Sequence, residues 1–287
     1  MKVRSALMAA IEFYEKNDTL SSIEVYVPIL MRIINKFGGK DIRDVSMLKI
    51  AAFLEKSSGS KVIYKMLAKK KKYFWEMAYF KRYVEQVTSS LPWEDNKPFN
   101  LLGEIFKSNG HVPRNVLELG SGTGRDAIFM AEKGSNVTAV DISSIAIKIA
   151  KESAKKADVK CKFLNRDIFK MNLKSENFDF IFDRGCFHHV PFILHNEYAQ
   201  LISKLLSPDG SFYLICHCQQ KLPKESFYHF LGKLAWLLNC LEVHQSEILF
   251  TPNDIKLIFS DKFKIQKITK HHDETGNNLC CFMRKQI

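Results

Sequence analysis

No apolar run in this sequence approaches the eighteen or so residues that crossing a bilayer takes. The apolar stretch at its start, MKVRSALMAAIEFYEKN, is interrupted by Glu12 and Glu15 at helical spacing, so it reads as an amphipathic helix rather than a signal peptide. The seven cysteines form no CxxC pair and no repeated spacing, which argues against a disulfide framework or a metal site and suits a reducing, cytoplasmic setting. Internal repeats are also missing. What remains is 287 residues, 46% of them hydrophobic and 26% charged, enough for one large domain or two modest ones with a real core.

Positive charge is plentiful, with a formal net charge of +12. Residues 1–100 hold 18 Lys and Arg against 11 Asp and Glu, and the remainder hold 25 against 20. Such an excess suits nucleic acid, an anionic surface or acidic substrates. The one dense run, KKKK at 69–72, reads most simply as a solvated helix face, so charge alone selects no partner.

Residues 1–90 read as an all-helical region. Val3, Leu7, Ile11 and Tyr14 share a helix face, Pro28 opens a second helix that stops at Gly38-Gly39, and Asp44 caps a third. An aromatic-rich helix over roughly 61–88 precedes SSLPWEDNKPF, whose Pro92 and Pro98 mark a linker over 91–112. Residues 113–287 then alternate short apolar strands (NVLEL, NVTAV, VKCKFL, FDFIFD, SFYLICH) with helical segments, the pattern of a doubly wound parallel sheet. FTPNDIKLIFSD reads as a late helix. KFKIQKIT and NLCCFMRK close the chain as two strands that can place an antiparallel strand in the sheet.

The chemistry starts at VLELGSGTGRD, a strand, a tight turn and a helix start, which is where ligands bind in open α/β sheets. A dinucleotide fingerprint needs G-x-G-x-x-G after the strand; counted from Gly120, the sixth position is Arg125. No Lys-Ser/Thr follows the glycines, which excludes a P-loop. Glu118 precedes the turn, Asp141 ends the second strand and suits a ribose diol, and Asp167 follows the third and suits an exocyclic amine. So many acids favour a cationic cofactor over a pyrophosphate. The plainer readings stay open: Glu118 as a ligand of turn amides, Asp141 as the cap of the next helix, and Asp167 as a residue of its own turn.

Residues 113–285 resemble the class I S-adenosylmethionine-dependent methyltransferases. ELGSGTG matches the first motif, Asp141 and Asp167 the next two acids, FDFIFDRGCFHHV the fourth-strand motif, and LLSPDGSFYLICH the fifth strand with its turn. VTAVDIS, DRG and the upstream PWE are similar to the thiopurine and thiol methyltransferase branch, although LPWEDNKPF lacks that branch's glycine. The resemblance implies S-adenosyl-L-methionine as cofactor and a Rossmann-like seven-stranded sheet with an antiparallel C-terminal strand. It also implies a cofactor site of Glu118, Gly120, Ser121, Gly122, Gly124, Arg125, Asp141, Ile142, Asp167, Ile168 and Asp183.

DRGCFHHVP follows the strand whose end faces the methyl group in such a fold. Asp183, His188 and His189 are the catalytic candidates, because an imidazole can take a proton from an oxygen or thiol nucleophile. Arg184, Trp93 and His188 are the substrate candidates, with a structural ion pair open for Arg184 and a packing or capping role open for the histidines. Cys186 reads as a small packed residue. The (N/D)PP(Y/F) tetrad of nucleobase amino methylation is missing, as is a Pro-Cys nucleophile, so nucleic acid is not favoured. The expectation is methyl transfer to a small molecule, preferably a thiol. The other readings are a protein or RNA methyltransferase docking through the basic helical region, and a cofactor-binding interaction protein without turnover.

Overall fold

A computed structural model of the protein describes residues 36, 39, 72–80, 98–108, 112–171, 173, 177–191, 194–218, 249–273 and 276–286. The chain divides into two compact units. One comprises Met1–Leu67, Pro191–His195 and Gln220–Ser246; the other comprises Ala68–Val190, Asn196–Gln219 and Glu247–Ile287. Most of the expected helices of residues 1–90 lie outside the described residues, as does Trp93; within that stretch 72–80 is helical and belongs to the second unit.

The second unit is built on seven strands: β1 (Asn115–Leu119), β2 (Asn136–Asp141), β3 (Cys161–Asn165), β4 (Phe178–Arg184), β5 (Leu206–His217), β6 (Phe263–Asp273) and β7 (Gly276–Lys285). They lie in the order β3-β2-β1-β4-β5-β7-β6, with β7 antiparallel to both its neighbours and the others paired parallel. This is the expected Rossmann-like sheet. Strands covered on both faces read as continuous apolar runs rather than alternating ones, as Val116, Leu117 and Leu119 of β1 do, all fully buried.

The helices are α1 (Leu102–Ser108), α2 (Arg125–Glu132), α3 (Ser144–Lys156), α4 (His195–Leu205) and α5 (Pro252–Phe259). Successive residues of β5 show the two layers. Phe212 packs on Tyr198 of α4 and Phe259 of α5, whereas Tyr213 stacks on Phe182 in the core that α1, α2 and α3 share. The late helix expected from FTPNDIKLIFSD is present as α5; Thr251 and Asp254 form a reciprocal capping box at its start, with Pro252 in the first turn.

Two local expectations change. The stretch expected to be linker contains α1, because Leu102, Ile105 and Phe106 recur at helical spacing and are all buried. The Ser-Pro-Asp-Gly expected as the turn before the fifth strand instead bulges within β5, where Leu206 pairs with Phe178 and Ser211 with Phe180. Gly210 permits this, since a Cβ there would stand 2.9 Å from the Phe178 carbonyl.

Candidate active site

The glycine turn follows β1 at the carboxyl edge of the sheet. Gly120, Gly122 and Gly124 have φ of 64, 52 and 81°, the left-handed region that glycine enters without a Cβ penalty. The turn is also crowded. A Cβ on Gly120 would stand 2.6 Å from Cys186 Cβ, and one on Gly124 would stand 2.9 Å from Ala150 and from the Phe163 ring. Ser121 anchors it, its amide donating to the Val140 carbonyl and its carbonyl accepting from the Gly124 amide.

Asp141 ties this turn to the next. Its Oδ2 accepts from the Gly122 amide at 2.9 Å and its Oδ1 from the Ser143 amide at 2.8 Å. Ser143, not Asp141, is the N-cap of α3, with its Oγ accepting from the Ala146 amide. Burial pushes the Asp141 carboxyl up to about 6, against the opposing pull of those two amides. Asn165 fixes the same loop by donating to the carbonyls of Asp141 and Ile142. Asp167 accepts from the Phe169 amide and pairs with Lys170, so it caps the short turn Ile168–Lys170.

Glu118 is buried, and burial raises its carboxyl well above the usual range; the charge of Asp126 adds to the rise, while Arg184 and Arg125 oppose it. Glu118 Oε2 and Ser121 Oγ are both buried without a hydrogen-bond partner among the described residues. An unmet buried polar group costs about 1–3 kcal/mol, so two of them beside a glycine turn fit a bound group that supplies donors and acceptors. The amino-acid and ribose portions of S-adenosylmethionine carry those groups.

After β4 the chain turns sharply through Gly185, with φ of 92°. Asp183, expected among the cofactor and catalytic residues, lies directly before this turn. The residue is fully buried; its Oδ1 accepts from the amides of Cys186 and Phe187, and its Oδ2 from the Tyr198 hydroxyl. Burial raises its carboxyl to about 7 against those three donors. Asp183 is therefore the residue that shapes the turn. Arg184, expected as a substrate candidate, forms an ion pair with Asp126 at 2.8 Å and lies over the Phe99 ring.

The turn presents imidazoles. His188 is buried, with Nδ1 accepting from the His217 amide at 3.4 Å and its ring centroid 4.2 Å from that of His217, the two planes tilted by 35°. His189 is half-buried and meets Trp75 edge-on, with ring centroids 4.9 Å apart. Trp75 lies in the aromatic-rich helix that reads as either a core face or a lid over an apolar substrate, whereas Glu76, Asp126, Tyr198 and His217 are not singled out by sequence reading. Only Asp126, directly after GTGR, carried a local signal, as an acid in the first turn of a helix.

A family model described as a methyltransferase domain matches residues 111–272. The chain belongs to that methyltransferase family. An uncharacterized methyltransferase of Schizosaccharomyces pombe is 35% identical over 107 residues, 37% of this chain and 72% of the relative. A probable thiol methyltransferase of Arabidopsis thaliana is 31% identical over 121 residues, 42% of this chain and 53% of the relative. Magnesium protoporphyrin IX methyltransferase from Synechocystis, solved with S-adenosylhomocysteine bound, shares the fold, with a TM-score of 0.54 at 15% identity over 77% of this chain and 100% of that one. This methyltransferase uses S-adenosyl-L-methionine, and no helix among its described residues is long and apolar enough to cross a membrane.

Proposed function

We propose that the enzyme methylates a small molecule, at a thiol or another soft nucleophile in preference to oxygen or nitrogen. The observation that carries this reading is the turn after β4, where half-buried His189 stands beside Trp75 on a loop that buried Asp183 holds in shape. The likeness to a probable thiol methyltransferase supports it.

In this reading Glu118 and the turn 120–124 hold the amino-acid end of the cofactor, Asp141 its ribose diol, and Ile142, Asp167 and Ile168 its base. When bound, S-adenosylmethionine supplies a cationic methyl group open to in-line displacement. The protein's own part is alignment, worth roughly 7–11 kcal/mol when reacting groups are held in attack geometry. His189 takes the acceptor's proton as the nucleophile forms, and His188 supports the imidazole pair from beneath.

A panel of acceptors incubated with methyl-labelled cofactor tests the proposal. Labelling of thiophenol and 2-mercaptoethanol ahead of phenol and aniline is expected. Transfer confined to RNA or protein would overturn it.

A further inference from the structure

The helical segment 72–80 touches two of the loops that frame the glycine turn. Glu76 Oε2 accepts from Ser143 Oγ at 3.0 Å and from the Ile145 amide at 3.3 Å, and its Oε1 from the Ser144 amide at 2.9 Å. The adjacent Trp75 meets His189. Ser143 follows β2 and His189 follows β4, and these two strands flank β1 in the sheet. Two neighbouring residues therefore span the carboxyl end of β1, where the turn 120–124 lies.

The contact at Glu76 extends into the cofactor site through one residue. Ser143 gives its hydroxyl to Glu76 and its amide to Asp141 Oδ1, so both carboxylates hold the same turn. Hydrogen bonds from the Ser144 and Ile145 amides and from Ser143 outweigh the rise that burial imposes and leave Glu76 below the usual carboxylate range, so it acts as an anion on the first turn of α3. At the other end, Trp75 meets His189 edge-on, so the two rings form an aromatic corner beside the imidazoles of His188 and His217.

We propose that Trp75 and Glu76 belong to the methyl-transfer site. Glu76 is a positioning residue that sets Asp141 through the Ser143 turn, and Trp75 with His189 is the wall against which a flat, apolar acceptor packs. The Glu76 half needs only the cofactor; the Trp75 half rests on the small-molecule acceptor proposed above.

The two halves separate experimentally. S-adenosylhomocysteine titrated calorimetrically into Glu76→Ala is expected to bind about tenfold more weakly than into the parent, with Glu76→Gln between them, as charge-assisted hydrogen bonds are lost in steps. With Trp93→Phe and Trp236→Phe as background, Trp75 emission is expected to respond to S-adenosylhomocysteine, and Glu76→Ala to blunt that response. A purely structural Glu76 would lower the melting temperature of the ligand-free protein instead. Affinity in Glu76→Ala within about twofold of the parent overturns its positioning role.

For Trp75→Ala, the KM for thiophenol is expected to rise about fivefold or more while S-adenosylhomocysteine affinity holds, a loss of about 1 kcal/mol of apolar contact. An unchanged KM overturns the wall. If no thiol is methylated at all, the acceptor reading and the Trp75 half fall together, and the Glu76 half is still decided by cofactor-product binding.

Discussion

Arg184 Nε donates to Asp126 Oδ2 at 2.8 Å, which pairs the end of β4 with the first turn of α2. The other oxygen of Asp126 accepts from the Phe99 amide at 2.7 Å, so one carboxylate joins three parts of the chain beside the glycine turn. Asp126→Ala strands the guanidinium and frees an amide. Removing one partner of a buried pair costs about 3–5 kcal/mol, and the partial exposure of Arg184 places the loss near 3. Urea unfolding is expected to show a lower midpoint with an unchanged m value, and Asp126→Asn, which keeps an acceptor oxygen, a smaller shift.

The close approach of Gly120 to Cys186 gives a second prediction. Alanine at 120 meets both a left-handed backbone, worth about 1–2 kcal/mol, and a Cβ collision at 2.6 Å. Gly120→Ala is expected to abolish measurable S-adenosylhomocysteine binding. Adding Cys186→Gly removes the opposing Cβ but not the backbone strain, so calorimetry on the double variant should show partial recovery. A double variant no better than Gly120→Ala would mean that the collision is not what excludes a side chain at 120.

In the proposed site, with Asp141 taking the ribose diol, cofactor affinity is expected to depend on pH. The Asp141 carboxyl sits at about 6 in the folded protein, above the ordinary 3.8, so the fold holds this proton more tightly than the unfolded chain does. By linkage its contribution to stability is complete below 3.8 and is lost as pH rises to about 6, then stays flat. Cofactor binding runs the other way, because a diol donates best to the ionised carboxylate. S-adenosylhomocysteine affinity is expected to fall as pH drops below about 6, by at most about tenfold per unit for one proton. Asp141→Asn should weaken binding throughout and erase this limb. Asp183, raised to about 7 by burial, titrates nearby; an acid limb that survives Asp141→Asn and disappears in Asp183→Asn would reassign the effect.

What the sequence made legible is local. The strand ending at Leu119, the register that fails at Arg125, and the acids at 118 and 141 all lie within one βαβ reading, and the structure places them around one turn. The pairs that build the rest are distant along the chain: Glu76 is 67 residues from Ser143, and Phe99 is 27 from Asp126. No periodicity encodes such a pair. Asp183 shows the limit in the opposite sense. An acid at the end of the fourth strand looks like a site residue, and nothing in the sequence shows that the Tyr198 hydroxyl on α4 and two turn amides all donate to it. Trp75 sits in an aromatic-rich helix whose spacing fits a core face or a lid over an apolar substrate, because helical spacing alone cannot tell a core face from one turned to a neighbouring histidine.

The two adjacent histidines provide the sharpest test of the chemistry. His188 is only 5% exposed and packed between two other imidazoles, so His188→Ala opens a cavity and removes the acceptor of the His217 amide. Its expected cost is stability, about 1–3 kcal/mol, with activity lost through the turn's disorder. His189 is less buried and beside Trp75, so His189→Ala should leave the melting temperature nearly unchanged and lower kcat about 10²–10⁴-fold if it takes the proton. The acceptor's own acidity then discriminates. A thiol already ionised at the assay pH needs no base, so the deficit of His189→Ala should shrink steadily from 2-mercaptoethanol to thiophenol to 4-nitrothiophenol. A deficit that is the same for all three would remove His189 from proton transfer and leave it as a wall of the pocket.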